Sequence, residues 1–232
     1  MIAQTAIRNS NEQIPSGAIR LEGELQIPAG AEGIVLFAHG SGSSRHSPRN
    51  QFVARTIREA GVGTLLFDLL TREEEAVDIR TRHLRFDIGL LAARLVDATN
   101  WLKRSPETAS LKVGYFGSST GGGAALVAAA QLGEEIGAVV SRGGRPDLAG
   151  EALPLVKAPT LLIVGGFDYP VIEMNQEAYA LLRCEKELAI VPGATHLFEE
   201  PGTLEEVARL AAGWFYRHLH TTRAQARSQR AS

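Results

Sequence analysis

The residues best suited to chemistry lie in Gly114-Tyr115-Phe116-Gly117-Ser118-Ser119-Thr120-Gly121-Gly122-Gly123, followed by the alanine-rich run Ala124 to Leu132. This pattern predicts a strand, a tight turn and a helix. Within it, Gly117-Ser118-Ser119-Thr120-Gly121 fits the G-x-S-x-G spacing that exposes a serine on a strained strand-to-helix turn. Side chains at the flanking glycines would collide across such a turn. Ser119 is therefore the candidate nucleophile. The amide of Thr120, at a helix start, could donate to the oxyanion that forms when a serine attacks a carbonyl. A bare five-residue match also fits a Gly/Ser-rich loop with no nucleophile. Two nucleotide-binding readings fit less well. Gly117 to Gly123 has no lysine for a phosphate loop, and Gly40-Ser41-Gly42-Ser43-Ser44-Arg45 lacks the third glycine of a dinucleotide fingerprint.

A serine hydroxyl needs a histidine as base and an acid to orient it, in the chain order Ser, Asp or Glu, His. Of six histidines, His196 stands just past the apolar run Leu188 to Val191, in Pro192-Gly193-Ala194-Thr195-His196-Leu197-Phe198. The acid is expected at the end of the preceding strand, where Thr160-Leu161-Leu162-Ile163-Val164-Gly165-Gly166-Phe167-Asp168 supplies Asp168. The other reading of Asp168 is a cap on the helix after Pro170, and Glu173 and Asp147 stand in reserve. A second oxyanion donor is expected from the loop Phe37-Ala38-His39-Gly40-Ser41-Gly42, at the amide of Ser41. His39 would border the substrate and shape this loop, because a second base would be redundant beside His196. His218 and His220 are expected to be solvated at the end of the terminal helix, while His83 precedes a helix and His46 sits in a polar loop. Cys184 has neither an elbow nor a nearby base and is read as passive.

Three arginines bear on the substrate. Arg142 and Arg145 lie near the carboxyl end of a predicted strand, where one could fork onto a substrate carboxylate, and Arg45 is a further candidate. The alternative is a salt bridge, to Asp147 or to the acidic Glu73-Glu74-Glu75 run.

These residues must be positioned by an alternation of two kinds of segment. Continuous apolar runs at Gly33 to Gly40, Thr64 to Phe67, Lys112 to Phe116, Ala138 to Ser141, Thr160 to Val164 and Leu188 to Val191 read as strands buried on both faces. Ile19 to Ile27 alternates and reads as a half-exposed edge strand. Segments of helical spacing lie between, including Phe52, Val53, Thr56 and Ile57, and the stretch Leu84 to Leu102. Alternating strand and helix imply βαβ units, an α/β fold with a parallel sheet covered on both faces, and functional loops at the strands' carboxyl ends.

The 232 residues fit a single domain over 19–219, with an N-terminal extension at 1–18 and a disordered polar tail at 220–232. Lys and Arg total 24 against 26 Asp and Glu, a net charge of −2, which gives no reason to expect nucleic acid as a partner. One cysteine excludes an internal disulfide and a multi-thiolate metal cluster. The first residues, MIAQTAIRNSNEQIPSG, show no basic run followed by an apolar core, and no stretch approaches about 18 apolar residues. The expectation is a cytoplasmic protein with no membrane association and a small-molecule partner; the oligomeric state is open.

With these residues in place the chain resembles the α/β-hydrolase superfamily from about Ile19 to Leu219, and most closely its dienelactone hydrolase-like branch. The likeness rests on His39-Gly40-Ser41-Gly42, the Gly117 to Gly123 elbow, Gly165-Gly166-Phe167-Asp168, Ala194-Thr195-His196 and only a short loop, Arg142-Gly143-Gly144-Arg145-Pro146-Asp147, where lidded relatives insert a cap domain. The resemblance implies a mostly parallel sheet with an antiparallel early strand, no cap domain, no metal or organic cofactor, and hydrolysis of an ester or lactone through an acyl-enzyme. A thioesterase or peptidase would use the same triad, and a non-catalytic member would bind a small ligand. Dienelactone hydrolases carry cysteine at the elbow, whereas this chain has Ser119, which turns the expectation away from dienelactone and toward ordinary carboxylic esters or thioesters.

Overall fold

The computed structural model describes residues 7–220. Eight strands form one sheet: β1 (Ile7–Ser16), β2 (Ile19–Pro28), β3 (Gly33–Ala38), β4 (Gly63–Phe67), β5 (Lys112–Ser118), β6 (Ile136–Arg142), β7 (Thr160–Gly165) and β8 (Lys186–Val191). Their order is β1-β2-β4-β3-β5-β6-β7-β8. β2 runs antiparallel to both neighbours, and every pairing from β4 to β8 is parallel. Helices α1 (Pro48–Glu59), α2 (Arg72–Thr81), α3 (Ile88–Arg104), α4 (Thr120–Leu132), α5 (Tyr169–Leu181) and α6 (Thr203–Leu219) connect them. The arrangement is the α/β-hydrolase fold. Between β6 and β7 the chain makes only a kinked 3-10 stretch, Pro146–Leu155, so no cap domain is inserted there.

The apolar runs become strands because each side chain in β3, β4 and β7 is buried, as a doubly covered parallel sheet requires. Alternate residues feed two cores. Leu36, Leu65, Tyr115 and Leu162 pack under α3 and α4, while Val35, Phe37, Phe116, Val140 and Ile163 pack under α1 and α6. Helix α6 sits unusually close to the sheet because glycines leave it room. A Cβ on Gly33 would lie 2.5 Å from Leu219 Cβ, and one on Gly114 would lie 2.9 Å from the Phe215 ring.

The sheet edge differs from expectation. β2 is an inner strand, and the edge is β1, which pairs with β2 along its whole length from Ile7↔Pro28 to Ser16↔Ile19. Its polar run Arg8 to Gln13 hides it, since a ribbon with mostly exposed side chains needs little hydrophobic alternation; Ile14, the next residue, is buried. The stretch Leu84 to Leu102 is likewise two elements, a 3-10 turn at Leu84–Phe86 and α3, because Asp87 caps α3 by accepting from the Leu90 amide at 2.9 Å. α2 has no apolar stripe to announce it, but its start carries a capping box between Thr71 and Glu74. The tail from 221 to 232 lies outside the described residues. Among the described residues, no helix is long and apolar enough to cross a membrane.

Phe215→Ala should cost about 3–5 kcal/mol in denaturant unfolding, because it empties the slot between α6 and Gly114. A loss under about 1 kcal/mol would mean that α6 does not close this core.

Candidate active site

The chain order makes a crevice where β3 leads outward to β4 on one side and β5 begins the run to β8 on the other, the place where loops leaving adjacent strands diverge. Ala38 pairs with Gly117, so the loop after β3 and the turn after β5 emerge side by side. Ser119 is the single residue between β5 and α4, with φ 50 and ψ −123, a backbone region that a side chain occupies only under strain. The flanking glycines permit it. A Cβ on Gly117 would stand 2.5 Å from the Gly121 carbonyl oxygen, and one on Gly121 would stand 2.1 Å from that of Ala38. Ser119 is further held by its carbonyl, which accepts from the Gly122 amide at 2.9 Å and the Arg145 amide at 3.0 Å.

His196 and Asp168 meet. Nδ1 of His196 donates to Asp168 Oδ2 at 2.6 Å, which leaves Nε2 without a partner among the described residues. Asp168 occupies the N-cap position of α5 yet makes no capping bond, so the carboxylate serves the histidine and not the helix. Gly143, at φ 49, brings the loop after β6 against this ring: a Cβ there would be 3.5 Å from His196 Cε1. The same loop reaches Ser119 through the Arg145 amide. His196 and Ser119 are thus tied to one short segment, 143–145. Of the two reserve acids, Asp147 is engaged by Arg145 and Glu173 is exposed on α5.

The loop after β3 is more occupied than expected. The Ser41 amide donates to Thr120 Oγ1 at 3.1 Å, and the two hydroxyls lie 3.0 Å apart. The Ser41 N–H therefore already has an acceptor, which an oxyanion would have to replace. The Thr120 amide opens α4, where a helix leaves its first N–H groups without intrahelical acceptors. His39 is a clamp within the backbone. Its Nε2 accepts from the Leu69 amide at 3.0 Å, which puts the proton on Nδ1, 3.0 Å from the Gly40 carbonyl oxygen. Burial pushes its pKa down, so it stays neutral. With both nitrogens committed, it joins the loops after β3 and β4 and has none left for a substrate.

Two of the three arginines are salt-bridge residues. Arg45 binds Asp68 and, at 2.6 Å, Glu22, so it fastens the loop after β3 to β2 and β4. Arg145 forks onto Asp147 at 2.7 and 2.8 Å. Arg142 is buried, with its guanidinium carbon 5.9 Å from the Phe198 ring centre. Beside the Ser41–Thr120 contact opens a shallow cleft, walled by Gly40–Ser44, Leu69, Leu70, Asp78, Arg85 and Thr120. His218 is not solvated as expected, because its ring packs at a tilt against Trp214, with centroids 4.5 Å apart. Among the described residues no group of three or more His, Cys, Asp or Glu is placed to hold a metal ion.

Residues 21–221 match the Dienelactone hydrolase family. The chain belongs to this family. A dienelactone hydrolase of Anabaena variabilis, solved by crystallography, is 64% identical, superposes with a TM-score of 0.91, and is matched over 92% of this chain and 99% of its own. An esterase of Pyrococcus furiosus is 18% identical with a TM-score of 0.73, covering 92% of this chain and 94% of its own, which is a likeness of fold. A curated relative from Mycobacterium tuberculosis, under the provisional name phosphoribosyl transferase, is 59% identical over 217 residues. That match takes in 94% of this chain and 48% of the relative, so the chain spans about half the length of the curated relatives it matches.

Some features of this hydrolase-family site are invisible to motif reading. The buried Ser118–Asn50 hydrogen bond of 3.2 Å, which ties the strand end to α1, carries no motif. Gly143 had a signal in the Gly143-Gly144 pair. The cleft wall depends on Asp78, which burial alone would push up in pKa. The Arg85 side chain and the amides of Leu84 and Arg85 outweigh burial and hold it below the usual carboxylate range. Glu74 is held down the same way, against burial, by Arg94 and the Thr71 amide. A carboxylate whose pKa is lower folded than unfolded adds stability that is complete above the unfolded value, about 4, and is lost as pH falls through the folded one. Thermal melts should therefore show Tm falling below about pH 4, and Asp78→Asn should start lower at pH 7 and fall less steeply. An unchanged slope in that variant would show that Asp78 plays no part.

Proposed function

We propose that this family member hydrolyses carboxylic esters or lactones of small molecules through an acyl-enzyme on Ser119. His196 Nε2 takes the proton as Ser119 Oγ attacks the carbonyl carbon, and Asp168 steadies the imidazolium through Nδ1. The oxyanion is held by the Thr120 amide and by the Ser41 amide, which exchanges the Thr120 hydroxyl for it. Collapse of the tetrahedral intermediate expels the alcohol, which leaves with the proton from His196. Water, deprotonated by the same ring, then releases the acid.

The observation that carries this reading is the backbone of Ser119. A non-glycine residue at φ 50 costs about 1–3 kcal/mol, and such strain is found where a side chain must be presented. Here it stands the serine at the mouth of the crevice, with an unused amide at its back and a carboxylate-bonded histidine on the adjoining loop. The phosphoribosyl transferase name belongs to chains about twice this length, and the groups gathered around Ser119 favour acyl transfer.

A fluorophosphonate probe should label wild-type protein once, on Ser119, as read by peptide mass spectrometry, and Ser119→Ala should lose both labelling and turnover of p-nitrophenyl acetate. Labelling that persists in the variant would remove Ser119 from the mechanism. Asp168→Asn should fold normally and lose about 10³- to 10⁴-fold in kcat, because the amide admits the wrong histidine tautomer. Near-wild-type kcat would assign Asp168 to structure alone.

A further inference from the structure

Arg142 is the buried cation that the fold compensates least. It is 8% exposed, and its Nε and Nη1 are buried with no hydrogen-bond partner among the described residues. The charge it feels is a second cation, Arg49 of α1, whose own Nε is also buried and unpaired. Burial first, and repulsion from Arg49 second, drag the Arg142 pKa down to about 10, which still leaves it charged at neutral pH. The Phe198 ring offers a π face but no acceptor. By contrast, Arg45, Arg85, Arg94 and Arg145 each end on a carboxylate. A buried charge without a partner is strongly destabilising, and an apolar side chain of similar size would relieve that penalty.

We propose that Arg142 and Arg49 form a binding site for a small carboxylate, on the sheet face covered by α1 and next to the elbow. The planar fork of arginine matches a carboxylate's two oxygens, and the unpaired nitrogens supply the donors. One carboxylate already rests on the outer member: Glu199 Oε1 accepts from Arg49 Nη1 at 3.1 Å. That pair is reachable from solvent, with side chains 35% and 64% exposed, so an incoming acid would compete with Glu199 for Arg49. Occupancy would be felt at the nucleophile, because the Arg142 carbonyl accepts from the Ser119 amide at 3.3 Å. The carboxylate is either a free acid or an acid group carried by the substrate.

Thermal melts of the full chain in succinate, with ionic strength held constant by sodium chloride, test the site without any turnover. Wild-type Tm should rise saturably, by about 5 °C or more at a hundredfold excess over Kd. Arg142→Met should melt at or above the wild-type temperature in the absence of succinate and should not respond to it. Glu199→Gln, a surface change, should bind succinate at least threefold more tightly. No saturable shift in wild type, an undiminished response in Arg142→Met, or unchanged or weaker binding in Glu199→Gln would overturn the site; the last decides alone if Arg142→Met fails to fold. The source of the carboxylate is a separate measurement that rests on the ester-hydrolase reading. Succinate that inhibits hydrolysis of an acid-bearing p-nitrophenyl ester but not of p-nitrophenyl acetate assigns the site to the substrate. An equal effect on both assigns it to a free acid.

Discussion

Everything at this site depends on one close approach of backbone to backbone. Gly121, in the first turn of α4, lies so near the Ala38 carbonyl at the end of β3 that no side chain fits between them. That contact presses the helix start against the neighbouring strand end, and the turn joining β5 to α4 has to be made by one residue. The geometry forces Ser119 into positive φ. It also sets the Thr120 amide and the Ser41 loop side by side, as their hydroxyl contact of 3.0 Å records. The strain is local, but the two cores on either side of the sheet maintain it, since relaxing the turn would require α4 to lift its buried residues Ala124, Ala125 and Ala128 off the sheet.

A second organising feature is the use of charge to fix loops at the carboxyl ends of the strands. Arg45 spans β2 and the end of β4, Arg85 secures the chain after α2 to the buried Asp78, and Arg94 reaches from α3 to Glu74. His39 does the same work without charge, as a neutral ring between two backbone groups. These contacts hold the walls of the cleft still while leaving Ser119 and the free nitrogen of His196 uncommitted. Against that pattern, the unpaired Arg142 stands out.

Much of this was legible in the sequence for physical reasons. Doubly buried strands must be continuous apolar runs, and the G-x-S-x-G spacing is what a backbone collision across a tight turn demands, so the parallel strands and Ser119 could be read directly. His196 and Asp168 were singled out by the rule that loops at carboxyl strand ends carry function, and their side chains lie 2.6 Å apart. What escaped was whatever lacks a periodic hydrophobic signal. β1 pairs through its backbone while showing polar side chains to solvent, and α2 is held by a capping box and ion pairs instead of an apolar stripe. Partner choice escaped as well: sequence offered Arg45, Arg142 and Arg145 as equivalent cations, and only their three-dimensional neighbours separate two salt bridges from one buried, unpartnered group.

On the proposed mechanism, the strained turn presents Ser119 to a carbonyl whose oxyanion takes the Thr120 amide and displaces the Thr120 hydroxyl from the Ser41 amide. A crystal structure of the protein treated with a trifluoromethyl ketone tests it most directly. The expected product is a tetrahedral adduct on Ser119 Oγ whose oxygen lies within about 3 Å of both the Thr120 and Ser41 amides, with the Thr120 hydroxyl turned away from Ser41. An adduct whose oxygen points elsewhere while the Ser41–Thr120 bond persists, or an unmodified Ser119, would contradict it.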